Sequence, residues 1–402
     1  MINVAILGFG VVGGGVANLL TANSAQTERL GGDKINIKYI LDLRDFPDSP
    51  FADKIVHDFN VILEDEEVDC VIEVMGGSHP AYEYTIAALR AGKSVITSNK
   101  EVVANFGDEF LVEAERNGVC YRFEAAVGGG IPVISPVINC IGQNKITEVR
   151  GILNGTTNYI LTSMFSLGAS FEDSLKDAQE RGYAERNPDA DILGTDACRK
   201  IAILTSLVTD KLVPVDKIHT EGITSIRKED VLVAEKVGLS IKLLGRCVIG
   251  DDGMHIMVAP FLLYNDSALA GVSGVYNAVE VIGEPIGNVM FYGQGAGAGA
   301  TASAVVGDLM QIMRAGRNCA QPIMVKTDEG VCDFESFACR NYLALSGADK
   351  KLINSVFSDA PVISDGDEIC IITRAMTEKE MNEITEKLAL EGVSVKSRIR
   401  LL

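Results

Sequence analysis

Six residues near the start of the chain constrain its architecture more than any other stretch. Asn3 to Leu7 read NVAIL, a short apolar run suited to a strand buried on both faces. Gly8-Phe9-Gly10-Val11-Val12-Gly13 follows at once, and Val12, Val16, Leu19 and Leu20 then recur at helical spacing. The order is strand, glycine turn, helix. In that order Gly8 permits the tight turn, Gly10 lets a pyrophosphate approach the backbone, and Gly13 lets helix and strand pack closely. The helix start offers unpaired N–H groups and partial positive charge to phosphate. A glycine-rich structural turn is the bland alternative; the strand before and the helix after favour dinucleotide binding.

The next strand, Ile35 to Leu41, runs into Asp42-Leu43-Arg44. An acidic residue there suits the ribose 2′-hydroxyl of NAD and an arginine suits the 2′-phosphate of NADP, so the choice stays open with both present. Further strands are expected at 70–74, 94–97 and 120–125, and helices at 80–91 and 102–115. Strands and helices alternating at this spacing predict a doubly wound parallel sheet of Rossmann type. Ligands of such sheets sit beyond the carboxyl ends of the strands, which gathers Met75, Ser98 and Lys100 with the first glycine turn around one cofactor.

After Val127-Gly128-Gly129-Gly130-Ile131-Pro132 the pattern changes. Longer strand-like stretches appear at 146–153, at 248–258 around an Asp251-Asp252-Gly253 turn, and at 289–292, with helices between them. The expected division is a dinucleotide-binding domain over 1–132, rejoined by a returning helix over 302–322, an α+β substrate domain over 133–301, and a small α+β domain over 326–402. The last reads strand, helix, strand, helix, strand, with one further strand near Val362.

Chemistry concentrates between Arg181 and Lys200, RGYAERNPDADILGTDACRK, where Glu185, Asp189, Asp191, Asp196 and Lys200 crowd together. Pro188 and Gly194 make its first part a loop; Asp196 and Lys200, spaced i,i+4, open a helix and share one face. An exposed helix ion pair worth about 0.3–0.5 kcal/mol would explain that pair. The functional alternative is a lysine that moves a proton while carboxylates hold a cationic substrate group, as hydride transfer between an alcohol and a carbonyl requires. Two more constellations exceed what local structure needs: Asn154-Gly155-Thr156-Thr157-Asn158 at a strand-to-helix junction, and the loop Gly293 to Thr301, whose glycines let a backbone press against a ligand.

Charge excludes several classes. A net charge of -19 repels nucleic-acid phosphate and anionic membrane. No apolar run approaches the roughly 18 residues of a membrane span, and the start of the chain carries no secretory pattern. Nine cysteines without a CxxC pair read as reduced thiols of a cytoplasmic protein. His57, His79, His219 and His255 show no metal-ligand spacing, which speaks against a zinc dehydrogenase.

These segments together resemble the homoserine dehydrogenase family over roughly the first 325 residues. The resemblance rests on the glycine fingerprint, Ser98-Asn99-Lys100, EAAVGGGIP at 124–132, GILNGTTNYI at 151–160, the acidic segment 181–200 and YGQGAGAGATASAVVGDL at 292–309. It implies interconversion of L-homoserine and L-aspartate 4-semialdehyde with NAD or NADP, on the route to threonine, methionine and isoleucine. It further implies Lys200 as proton donor, assisted by Asp196, and Lys100 between cofactor and substrate. Glu185, Asp191, Asp196, Thr156 and Tyr183 fall to the substrate. Gly8, Phe9, Gly10, Val11, Val12, Gly13, Arg44, Met75, Ser98, Lys100 and Gly297 fall to the cofactor, and Glu124, Val127, Gly129 and Ile131 to a sodium ion. A homodimer or homotetramer is implied as well. Asn187 stands where the family usually has Asp. The final segment resembles an ACT-type domain, but reads Gly347-Ala348-Asp349 where a Pro-Gly turn is expected. A dehydrogenase for another amino-acid semialdehyde and a silent dinucleotide sensor remain as alternatives; a retained Lys200 argues against the sensor.

Overall fold

The computed structural model of the chain describes residues 1–316, 320–357 and 360–402. They form two compact units, one of Met1–Lys145, Ala202–Val215 and Phe291–Asp328, the other of Ile146–Ile201, Asp216–Met290 and Glu329–Leu402.

In the first unit β1 (Ile2–Leu7), β2 (Ile35–Leu41), β3 (Ile55–Val56), β4 (Cys70–Glu73), β5 (Ser94–Thr97) and β6 (Tyr121–Arg122) make a parallel sheet in the order β3-β2-β1-β4-β5-β6. This is the doubly wound order, and its direction reverses between β1 and β4, where such sheets bind ligands. The helices Val11–Ala22 and Ala298–Ala315 cover one face. Their Val16, Ala17, Leu20, Val305, Leu309 and Ile312 bury against Ile6, Ile72 and Ile96. A Cβ on Gly15 would lie 2.9 Å from the Ala298 carbonyl oxygen, so the absence of a side chain lets the two helices meet. Of the expected returning helix over 302–322, residues 317–319 lie outside the described residues.

The strand expected over 120–125 stops at Arg122, because Glu124 turns inward. Its carboxylate accepts the backbone N–H groups of Val133, Ile134 and Ser135 at 2.6, 2.7 and 2.7 Å. Cys120 is disulfide-bonded, which corrects the expectation that every thiol is reduced. Sequence spacing holds no sign of a bond that folding closes. Seven cysteines are free among the described residues, and Cys319 lies outside them.

The other sheet is mixed. Its main path runs through β7 (Lys145–Ile152), β8 (Leu239–Gly250), β9 (Gly253–Tyr264), β10 (Tyr276–Glu284), β11 (Gly287–Gln294), β12 (Ala338–Ser346), β13 (Val362–Asp365), β14 (Ile369–Ile372) and β15 (Ser394–Leu401), in the order β11-β10-β7-β8-β9-β15-β12-β14-β13, with the two-residue strands His219–Thr220 and Met376–Thr377 pairing onto β9 and β12. The turn at Asp251-Asp252 is where the sequence places it, but the hairpin is much longer, pairing Leu239 with Tyr264 through to Gly250 with Gly253. Its first seven residues are all buried and so lack the alternation that marks a half-exposed strand.

The C-terminal segment runs β12, helix Lys350–Val356, β13, β14, helix Glu378–Leu390, β15, with every neighbouring pair antiparallel. That is the β-α-β-β-α-β arrangement, with the further strand near Val362 present as β13. Leu343, Ile353, Ile371, Met381 and Leu388 form its core. β15 then pairs in parallel with β9 through Phe261–Arg400 and Leu262–Leu401, which makes the sheet continuous. Among the described residues no helix is long and apolar enough to cross a membrane.

Lys242 on β8 is buried. Its ammonium donates to the Val272 carbonyl at 2.6 Å and to Asn158 Oδ1 at 3.2 Å. Burial pushes its pKa down to about 8. Between that value and the ordinary lysine value the unfolded chain binds the extra proton, so this group adds stability as pH rises through the interval. Lys242→Met is therefore expected to flatten the rise in melting temperature between pH 8 and 10 relative to the parent, measured by calorimetry across that range.

Candidate active site

The first glycine turn has the geometry its sequence requires. Gly8 sits at φ +96°, and a Cβ on Gly13 would lie 1.9 Å from the Gly8 carbonyl oxygen. Gly10 precedes helix Val11–Ala22, whose first amides receive no side-chain cap. Nothing lies within 4 Å of where a Gly10 Cβ would point, and Val11 is exposed. Open space in front of uncapped amides suits a pyrophosphate. Phe9 and Val12 pack against the core beneath.

Asp42 and Arg44 do not stand as separate charges. Asp42 accepts the Phe9 N–H at 2.8 Å, and the Arg44 guanidinium grips both its oxygens at 3.0 Å. That guanidinium, with the Phe9 and Arg44 amides, holds the Asp42 carboxyl well below its ordinary value despite partial burial. Arg44 remains largely exposed, its guanidinium 5.0 Å from the Phe46 ring.

Met75, Ser98 and Lys100 follow the ends of β4 and β5, and one residue that sequence reading passed over ties these turns together. Glu73, the last residue of β4, is completely buried. Its carboxylate accepts the Met75 N–H at 2.8 Å and the Thr97 hydroxyl at 2.6 Å, and its carbonyl oxygen accepts the Ser98 N–H at 3.4 Å. Asn99 caps the helix Lys100–Arg116 and donates to the Gly77 carbonyl at 2.7 Å. Burial raises the Glu73 pKa against these donors. The signal was a carboxylate closing an otherwise apolar strand. Gly297, at φ +122°, precedes helix Ala298–Ala315.

Glu124, Val127, Gly129 and Ile131 lie in a buried turn. The Glu124 side chain is committed to the amides of 133–135. The carbonyl oxygens of Val127, Gly129 and Ile131 accept no backbone hydrogen bond among the described residues. Unsatisfied buried carbonyls fit a hard cation with oxygen ligands.

In the second unit a polar cluster forms at the end of β7. Asn154 caps helix Gly155–Leu167 through the Thr157 N–H at 2.8 Å, and its amide donates to Asp191 at 2.6 Å and Asp196 at 3.0 Å. Lys200 is buried and donates to Asp196 at 2.8 Å and to the Leu153 carbonyl at 2.8 Å. The pair is thus a buried one. Removing the carboxylate from such a pair costs about 3–5 kcal/mol, far more than an exposed helix pair contributes. Burial, more than the charge of Asp196, raises the Asp191 pKa, while the hydrogen bond from Asn154 opposes it. Thr156 donates to the Tyr183 carbonyl at 2.7 Å, and the exposed Tyr183 ring lies 4.9 Å from that of Tyr159. Glu185 stands apart. It is exposed, and no hydrogen bond or ion pair of its side chain is found among the described residues. Asn187 interacts with its neighbour Asp189.

The turn carrying Asp191 is backed by Thr220–Ile223. Ile223 N–H donates to the Ile192 carbonyl at 2.9 Å, and a Gly222 Cβ would lie 2.0 Å from that oxygen. Between them, Glu221 is held by both Arg400 Nη atoms at 2.8 Å and by His219 Nε2 at 2.6 Å. These donors bring the Glu221 carboxyl down to about 2 although burial opposes them. Arg400, on β15, also binds Glu378 at 2.8 Å. The C-terminal segment therefore braces the acidic turn.

A doubly wound sheet with an uncapped glycine turn, together with a buried lysine–carboxylate pair in an α+β unit, defines a nicotinamide-dependent oxidoreductase. Two family models match the chain: homoserine dehydrogenase, NAD binding domain, over 8–124, and homoserine dehydrogenase over 132–310. The homoserine dehydrogenase of Bacillus subtilis is 35% identical, with 100% of this chain and 98% of that protein aligned. The crystal structure of a homoserine dehydrogenase from Thiobacillus denitrificans superimposes with a TM-score of 0.90 at 34% identity, over 100% of this chain and 98% of that one. A hyperthermophilic archaeal homoserine dehydrogenase mutant in complex with NADPH gives a TM-score of 0.67 at 27% identity, over 79% and 99%. The chain belongs to the homoserine dehydrogenase family, enzymes that interconvert L-homoserine and L-aspartate 4-semialdehyde with a nicotinamide cofactor.

Glu221→Gln keeps the shape of the brace and weakens its charge. It is expected to raise KM for L-homoserine several-fold while leaving dinucleotide affinity unchanged, as initial rates and cofactor titration will show.

Proposed function

We propose that Lys200 is the general acid of this dehydrogenase in the reducing direction and the general base in the oxidising one. The observation that carries the reading is its burial beside Asp196, where one carboxylate oxygen accepts from both Lys200 and Asn154. A bound reduced nicotinamide supplies the hydride. As it is delivered to the aldehyde carbon, charge develops on the oxygen, and the Lys200 ammonium gives up a proton to that oxygen. Asp196 orients the ammonium and offsets its charge, so the amine left behind is reprotonated readily. Asp191 and Glu185 receive the substrate ammonium, and Thr156 and Tyr183 line the same pocket. The solitary Glu185 suits a group that awaits a cation. Lys100, which opens the helix after β5, is assigned to the cofactor side and to the reaction.

On the cofactor side, Gly8, Gly10 and Gly13 admit the pyrophosphate, with Phe9, Val11 and Val12 shaping the turn. Met75, Ser98 and Gly297 complete the site. Arg44 favours NADP, since an exposed guanidinium suits a phosphate and Asp42 already accepts from Phe9 and Arg44. The NADPH-bound relative supports that reading. A sodium ion held by carbonyls of Glu124, Val127, Gly129 and Ile131 would brace the glycine-rich turn at 127–132. The working form is a homodimer or homotetramer in the cytoplasm.

Lys200→Ala is expected to lower kcat by about 10²–10⁴-fold while dinucleotide binding persists. Near-normal turnover from a folded variant would refute the role. Arg44→Ser is expected to reduce the ratio of NADP to NAD efficiency, read from the same nicotinamide absorbance assay with each cofactor.

A further inference from the structure

We infer that Asp252, His255 and Cys332 form a binding site for a divalent transition-metal ion of the zinc type. Asp252 lies in the β8–β9 turn, His255 on β9, and Cys332 at the beginning of the C-terminal segment. One carboxylate oxygen, one imidazole nitrogen and the Cys332 Sγ all lie within 4.8 Å of one another. Zinc bound at its usual distances to O, N and S holds such donors about 3–4 Å apart. Small side-chain rotations therefore close the site.

The arrangement is held by the backbone. Met254 N–H donates to the Gly330 carbonyl at 2.8 Å, and Cys332 N–H to the Met254 carbonyl at 2.8 Å, so the two segments run side by side. Gly253 permits this approach. A Cβ there would lie 2.5 Å from the Gly330 oxygen and 2.9 Å from Cys332 Sγ. A second observation points to a ligand: His255 Nδ1 is buried without a hydrogen-bond partner among the described residues. A buried polar atom left unsatisfied is unfavourable, and a metal ion would satisfy the imidazole directly or orient it.

On binding, the thiol that donates to the Asp252 carbonyl at 3.6 Å loses its proton to solvent. The thiolate and the carboxylate then neutralise the ion, and water fills the fourth position. One thiolate, one imidazole and one carboxylate suit a borderline cation rather than calcium or magnesium. Bound there, the ion would staple Gly330–Cys332 to the hairpin tip. Sequence spacing conceals the site because Cys332 comes from a distant part of the chain.

The test is titration of the metal-stripped full chain with Co²⁺ under anaerobic conditions. One equivalent is expected to produce thiolate-to-cobalt charge-transfer absorption and tetrahedral visible bands, both displaced by Zn²⁺. Cys332→Ser should abolish the charge-transfer band, and Asp252→Asn, at an exposed turn, should weaken affinity by at least about tenfold. Cys140→Ser, which alters an exposed thiol outside the cluster, should change neither. No band in the parent, a band that survives Cys332→Ser, or one lost in Cys140→Ser would overturn the assignment.

Discussion

A lysine ammonium taken out of water must be paired, and much of the second unit is arranged to do this for Lys200. A lone buried cation is strongly unfavourable; beside a hydrogen-bonded carboxylate it is tolerated and keeps its geometry. Here Lys200 donates to Asp196 on the same helix and to the carbonyl of Leu153, just beyond β7, and the adjacent Asn154 holds Asp196 and Asp191 at once. The cap of helix Gly155–Leu167, the acidic turn and the helix carrying Lys200 are therefore fixed by one cluster. The same cluster is the proposed chemical centre, and in that reading the requirements of stability and of proton transfer coincide.

The C-terminal segment has the β-α-β-β-α-β arrangement of a separable module, yet it is built into the sheet. β15 extends the pairing from β9, and Arg400 grips Glu221 and Glu378 from within it. A second tie runs from Arg227 and Asp230 to Glu368 and Ser397, with Arg227 reaching Glu368 Oε1 at 2.9 Å. Charges so thoroughly bridged make the segment a brace on the turn that presents Asp191.

Parts of the site were legible because their determinants are local. The glycine turn announces itself through steric needs within six residues: the tight bend at Gly8 and the contact at Gly13. The i,i+4 spacing of Asp196 and Lys200 was equally plain, though nothing local said that the pair is buried. Glu73 was missed because its hydroxyl partner, Thr97, meets it only after β4 and β5 pair. Glu221 and Arg400 were missed for the same reason on a larger scale. The strand at 239–247 escaped notice because burial on both faces removes the alternation by which a strand is recognised, and the end of β6 was misjudged because Glu124 bonds to amides further along.

The sequence by itself determined the class of the chain: a dinucleotide turn in an alternating strand–helix unit, an acidic segment ending in a lysine, and an α+β tail, all patterns set by neighbours within a few residues. Tertiary structure decided which charges are buried and what they face. It tied Asp42 to the Phe9 N–H, placed Asn154 between two carboxylates, left the Glu185 side chain exposed, and brought the last strand onto β9. Electrostatic strength depends on burial and distance, and neither exists until segments far apart in the chain have packed together.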